Sequence, residues 1–119
     1  MPQSFKLIKD EFSQSDNEQQ WTYLCLFNLY INRKKITKIT ITDHTWKKKG
    51  REKITKELIL GIFKEELNGK TVKQSQYSGN RKPFIEERIE YQDKKYKMVF
   101  WFEKNNTDWL WIRVCHQQD

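Results

Sequence analysis

Glycine and proline are scarce in this 119-residue chain, at four and two. With so few breakers there is no Pro/Gly-rich linker, no phosphate-binding loop and no dinucleotide fingerprint, which argues against nucleotide-driven enzymes. Cysteine is as rare. Cys25 and Cys115 sit inside apolar runs, away from metal-ligand spacing, and are expected as buried reduced thiols. The two histidines come with no H-E-x-x-H and no C-x-x-C, so a zinc site is a poor proposal and no metal or cofactor is expected. No apolar run approaches the roughly 20 residues that a membrane helix requires, and the opening residues lack a signal-peptide pattern. A cytoplasmic protein without a membrane partner is the expectation.

Charge and aromatic side chains are what the sequence has in quantity. Charged residues make up 33% of it, but seven Phe, five Tyr and five Trp are too many for a disordered chain. The length suits a single domain, 1–119, with one core. The net charge of +7 is unevenly placed: residues 33–56 hold ten basic groups against two acidic ones. A basic patch confined to one segment beside a folded core suggests a polyanionic partner, most simply nucleic acid.

Hydrophobic periodicity outlines the elements. Trp21, Tyr23, Cys25, Phe27, Leu29 and Ile31 share one parity and predict a strand, and Asn32 to Lys35 turn the chain into a second one, Ile36 to Asp43. Ile54, Leu58, Ile59, Ile62, Phe63 and Leu67 recur at three and four, predicting an amphipathic helix over about 55–68. Thr55 is its candidate N-cap and Asn68-Gly69 its stop. Three further strands are expected at Phe84–Tyr91, Tyr96–Glu103 and Trp109–Cys115, with turns at Asp93-Lys94 and Asn105 to Thr107. Residues 4–12 are too short to type, and 70–83 read as a basic loop. The fold class expected is α+β, an antiparallel sheet of four or more strands with the helix packed on one face.

Side chains alternate across a strand, so parity sorts them between core and open face. Ile39 and Ile41 should meet the helix, leaving Lys38, Thr40, Thr42 and His44 outside. Ile85, Ile89 and Tyr91 should take the core, with Arg88 outside. Leu110, Ile112 and Val114 should do the same, leaving Trp109, Trp111 and Arg113 outside. His44, Arg88 and Arg113 are therefore expected on the face opposite the helix, beside two tryptophans that could stack on unpaired bases. Paired tryptophans on one strand face could equally form a small second core.

From His44 onward the chain resembles the RelE-like toxins of the barnase/colicin-nuclease/RelE fold group, including the small RelE-like and BrnT-like domains. The resemblance rests on short motifs. These are His44 and its basic segment Lys47-Lys48-Lys49-Gly50-Arg51, then Ile54-Thr55-Lys56-Glu57-Leu58-Ile59, Tyr96 to Phe100, and Trp109-Leu110-Trp111-Ile112-Arg113-Val114. It covers about residues 36–116, the RelE-like core, and leaves 1–35 as a variable N-terminal part. A helix is usual there, whereas this chain alternates as a strand. The resemblance implies an active-site role for His44, phosphate contacts for Lys48 and Arg51, and charge stabilisation by Arg113. It also sets His116 where some members carry a terminal catalytic group.

The chemistry this implies needs no metal, because RNA supplies its own nucleophile, the 2′-hydroxyl. Histidine can act as base or acid near neutrality, and arginine can hold a phosphorane through a bidentate fork. The expected roles are acid–base work at His44 with His116, phosphorane stabilisation by Arg113, and RNA contacts from Lys47, Lys48, Lys49, Arg51, Arg88, Trp109 and Trp111. The expected function is a small basic endoribonuclease of the toxin type, acting on RNA that can include ribosome-bound RNA and masked by an acidic antitoxin-like protein. The alternatives are a non-catalytic nucleic-acid-binding domain, or a protein-interaction module of the antitoxin or immunity type, on the same scaffold.

Overall fold

A computed structural model describes residues 4–45, 54–72, 83–103 and 106–118, with only the backbone for 44, 106 and 107. It holds six strands, β1 (Phe5–Ser13), β2 (Glu18–Ile31), β3 (Lys34–Thr42), β4 (Phe84–Tyr91), β5 (Lys94–Glu103) and β6 (Asn106–Gln118), and one helix, α1 (Lys56–Ile62). All six strands form one sheet in the order β1-β2-β3-β6-β5-β4. The protein is α+β, mostly sheet, and the sheet is mixed rather than wholly antiparallel. Four neighbouring pairs run antiparallel, but β3 and β6 run parallel at its centre, with Lys38 opposite Trp109 and Ile41 opposite Ile112. The chain crosses over between β3 and β4, and α1 lies in that crossover, as a parallel pair requires.

The helix forms where the three-and-four spacing placed it. Thr55 is extended at its start, and its Oγ1 accepts from the Leu58 N–H at 3.1 Å. Past Ile62 the coil widens into a π-helical turn, Phe63–Leu67, and the chain leaves through Gly69 at φ +86°. Ile59, Leu60, Ile62, Phe63 and Leu67 are buried. They pack on Ile39, Ile41, Tyr96, Met98, Phe100, Leu110 and Ile112 in a single core cluster. The Phe63 ring meets Phe100 edge-on at 5.4 Å. Beyond the helix the chain runs back beside β2: Asn68 accepts from the Tyr30 N–H at 2.9 Å and donates to Asn28 O at 3.1 Å.

Two bulges change the expected sorting of side chains. In β6 the register slips against β5 between Val99 and Phe100, so Val99 faces Val114 but Phe100 faces Ile112. Arg113 is the inserted residue. Past it, fully buried Cys115 takes the core place expected for Val114, which is half-buried. In β4 the slip lies between Glu86 and Ile89, with Arg88 at φ +54°. Phe84, stacked on Phe100 at 5.9 Å, therefore holds the core position expected for Ile85, which pairs with Val99 on the other face. One extra residue per strand reverses every assignment beyond it.

Candidate nucleic-acid interface

The sheet face opposite α1 carries an aromatic row built by cross-strand register. Trp101 on β5 lies opposite Trp111 on β6. Trp111 stacks on Trp109, two residues along the same strand face, with centroids 5.4 Å apart and planes at 27°. A cation closes each end. The Arg113 guanidinium lies 5.8 Å from the Trp101 ring, and Lys38 Nζ lies 4.6 Å over Trp109. The three indoles are half-buried, so each shows part of a ring to solvent.

Polar groups fix this row to the sheet. The Trp109 indole N–H donates to Thr40 Oγ1 at 2.8 Å, and Thr40 in turn shares a 2.8 Å hydrogen bond with Thr22. Thr22, Thr40 and Thr42 are buried on the same side, as are Gln20 and Glu18, which are joined at 3.1 Å. A buried polar stripe thus runs under the row's β2–β3 flank. Among the described residues, Trp111 Nε1 and Thr42 Oγ1 are buried without a hydrogen-bond partner.

Further along this face the candidate residues gather at one end of the sheet. The parallel pairing of β3 and β6 sends both strands toward that end. The turn Asp43–Thr45, which carries His44, therefore packs beside the stretch of β6 that holds Arg113 and His116. His116 lies opposite Lys97, and Lys97 reaches Glu87 at 3.6 Å. Glu87 and Arg88 together oppose Lys97 at the β4 bulge, and the Arg88 N–H donates to the Gln118 side chain at 2.6 Å. Arg88, Lys97 and His116 thus form a row across β4, β5 and β6. His116 Nδ1 lies 3.2 Å from the carbonyl of Gln117. Trp109, Trp111, Arg88 and Arg113 stand on the face expected of them, and His44 sits in a turn rather than at a strand end. The side chain of His44, and all of Lys47, Lys48, Lys49 and Arg51, lie outside the described residues.

Parity reasoning missed Trp101 and Lys97, and it placed Lys38 on this face without giving it a role. The strand 96–103 is apolar on both parities, and only its pairing with β6 reveals that Trp101 continues the tryptophan row. The opposite side of the sheet has a cleft of about 370 Å³ between the start of α1 and the β4–β5 hairpin, where Tyr91 and Tyr96 stand near Glu57 and Gln117. Burial raises the pKa of both tyrosines, so they remain protonated donors at neutral pH. No group of His, Cys, Asp or Glu among the described residues could hold a metal ion, and no helix there is long and apolar enough to cross a membrane.

Comparison with family models, with curated proteins and with solved structures finds no match to this chain.

Proposed function

We propose that this protein binds single-stranded RNA on the sheet face opposite α1. The observation that carries the reading is the row Arg113–Trp101–Trp111–Trp109–Lys38, three half-buried indoles flanked by cations. Unpaired bases stack on such rings at about 1–3 kcal/mol each, and the cations meet the phosphates between them. The basic segment Lys47, Lys48, Lys49 and Arg51 adds sequence-independent attraction. Fluorescence titration with an unstructured RNA oligonucleotide tests the reading. Affinity should fall steeply between about 50 and 200 mM salt, and Trp101→Ala should weaken it about tenfold. Binding that ignores both changes would end this proposal.

The stronger form of the reading is the RelE-like one, a metal-free endoribonuclease of the toxin type with an acidic antitoxin-like protein as its masking partner. The shared end of β3 and β6, where the His44 turn lies beside Arg113 and His116, supports it. In this form the histidines move the protons and Arg113 holds the phosphorane, while the tryptophan row positions the strand. Cleavage that persists in EDTA and leaves a 2′,3′-cyclic phosphate is the expected product pattern. Tight binding with intact RNA would leave the binding domain alone standing.

A further inference from the structure

We propose that β1 pairs with β1 of a second copy of this chain, antiparallel across a two-fold axis, to make one continuous twelve-stranded sheet. This goes beyond RNA binding and does not depend on it.

β1 is an edge strand of nine residues, and an unpaired edge presents free backbone donors and acceptors to another strand. The exposed large apolar side chains of the described residues are all on β1 and its neighbour β2: Leu7, Ile8 and Phe12 on β1, and Leu26 and Tyr30 on β2. The other edge, β4, carries Glu86, Glu87, Arg88 and Glu90 and none of these exposed apolar side chains.

What singles out a second copy is the symmetry that the β1 bulge creates. Phe5 and Leu7 pair with Cys25 and Tyr23 on the helix side of the sheet, as do Asp10 and Phe12 with Trp21 and Gln19. Lys6, Glu11 and Ser13 pair on the open side. Ile8 and Lys9 together oppose Thr22 at the register slip and share its open side. The order of faces is therefore the same read outward in either direction from the point between Ile8 and Lys9. Directly opposed residues of an antiparallel pair must share a face. A two-fold through that point satisfies the condition at every position, and shifting it by one residue breaks it.

The chemistry agrees with that register. Phe5 falls opposite Phe12 of the second copy, and Lys6 falls opposite its Glu11, each contact occurring twice by symmetry. Leu7 opposite Asp10 is neutral in this respect, and Ile8 covers the stem of Lys9. Lys9 already lies 3.2 Å from Glu11 within one chain, so the Lys6 of the second copy completes a Lys–Glu–Lys row on the open face.

Analytical ultracentrifugation of the whole chain and of charge-reversal variants tests this, with circular dichroism confirming that each variant is folded. The wild type should dimerise. Lys6→Glu and Glu11→Lys should each raise the dimer dissociation constant about tenfold or more, because two attractive pairs become repulsive. The double variant should recover the dimer, and mixing the two single variants should give a heterodimer. A chain that stays monomeric at roughly millimolar concentration overturns the proposal. So does a dimer indifferent to both reversals, or a double variant that remains as weak as the singles.

Discussion

Gly61 on α1 meets Tyr91 on β4 with no room between them: a Cβ on the glycine would overlap the phenol oxygen and stand 2.9 Å from Cζ. The Tyr91 phenol can rest against the helix because that position has no side chain. In an ordinary helix Gly→Ala gains about 1 kcal/mol, but overpacking costs about 1–3 kcal/mol. Gly61→Ala should therefore lower stability by about 1 kcal/mol in urea denaturation. Combined with Tyr91→Leu, the same change should become neutral or stabilising.

Thr40 serves two partners at once, the Thr22 hydroxyl and the Trp109 indole. Thr40→Val keeps the shape but removes the bond to the buried Thr22 hydroxyl and to the half-buried Trp109 indole N–H. A loss of about 1–3 kcal/mol is expected, with a shift in tryptophan fluorescence as Trp109 loosens. Adding Thr22→Val should return part of that loss, since one orphaned hydroxyl disappears.

Burial pushes the Cys25 thiol from its ordinary 9.0 up to about 12. The folded chain therefore holds the proton where the unfolded chain has released it. Stability from this group is complete below pH 9, then falls as the unfolded thiol ionises and levels off near pH 12. Cys25→Val should flatten the stability profile across that window. The native thiol should also resist alkylation at pH 8 until denaturant is added.

On the endoribonuclease reading proposed above, His44→Ala and Arg113→Ala should each slow cleavage by about 10²–10⁴-fold, measured by single-turnover assay. Arg113→Lys should keep most of the affinity but not the rate, because a point charge cannot reproduce a bidentate fork. Replacing Lys47, Lys48, Lys49 and Arg51 by Gln should weaken binding to all sequences alike and lower the salt slope by about four.

The elements legible in the sequence were those whose periodicity is set by a one-sided burial. The Thr55 cap, the Gly69 stop and the stripe from Ile59 to Leu67 all stand where the spacing put them. The alternation in β2 and in Ile39 to Thr42 of β3 also held, although Thr22, Thr40 and Thr42 are buried on the far face and Ile36 joins the core past the β2–β3 register slip. β1 was not legible, since an exposed edge strand has no apolar parity to display. The bulges at Arg88 and Arg113 left no mark either: an inserted residue is a property of two paired strands, not of one segment. The same holds for the parallel β3–β6 pairing, which no local pattern encodes. On the site, parity found Trp109, Trp111 and Arg113 but passed over Trp101, whose face depends on its partner strand.

The parallel pair at the centre of the sheet also sets the order in which this chain can fold. β1, β2 and β3 follow one another through short turns, and so do β4, β5 and β6, so each half can zip from its own hairpins. Within the sheet the halves meet only where β3 joins β6. That seam opens with the Thr37 hydroxyl donating to Asp108 at 2.6 Å, across 71 positions of chain. Closing so long a loop costs entropy before any contact at the seam repays it, so docking of the two halves is the step expected to be slow. Cutting the chain between Val72 and Pro83 would turn that docking into a meeting of two molecules, and the refolding rate would then rise with concentration.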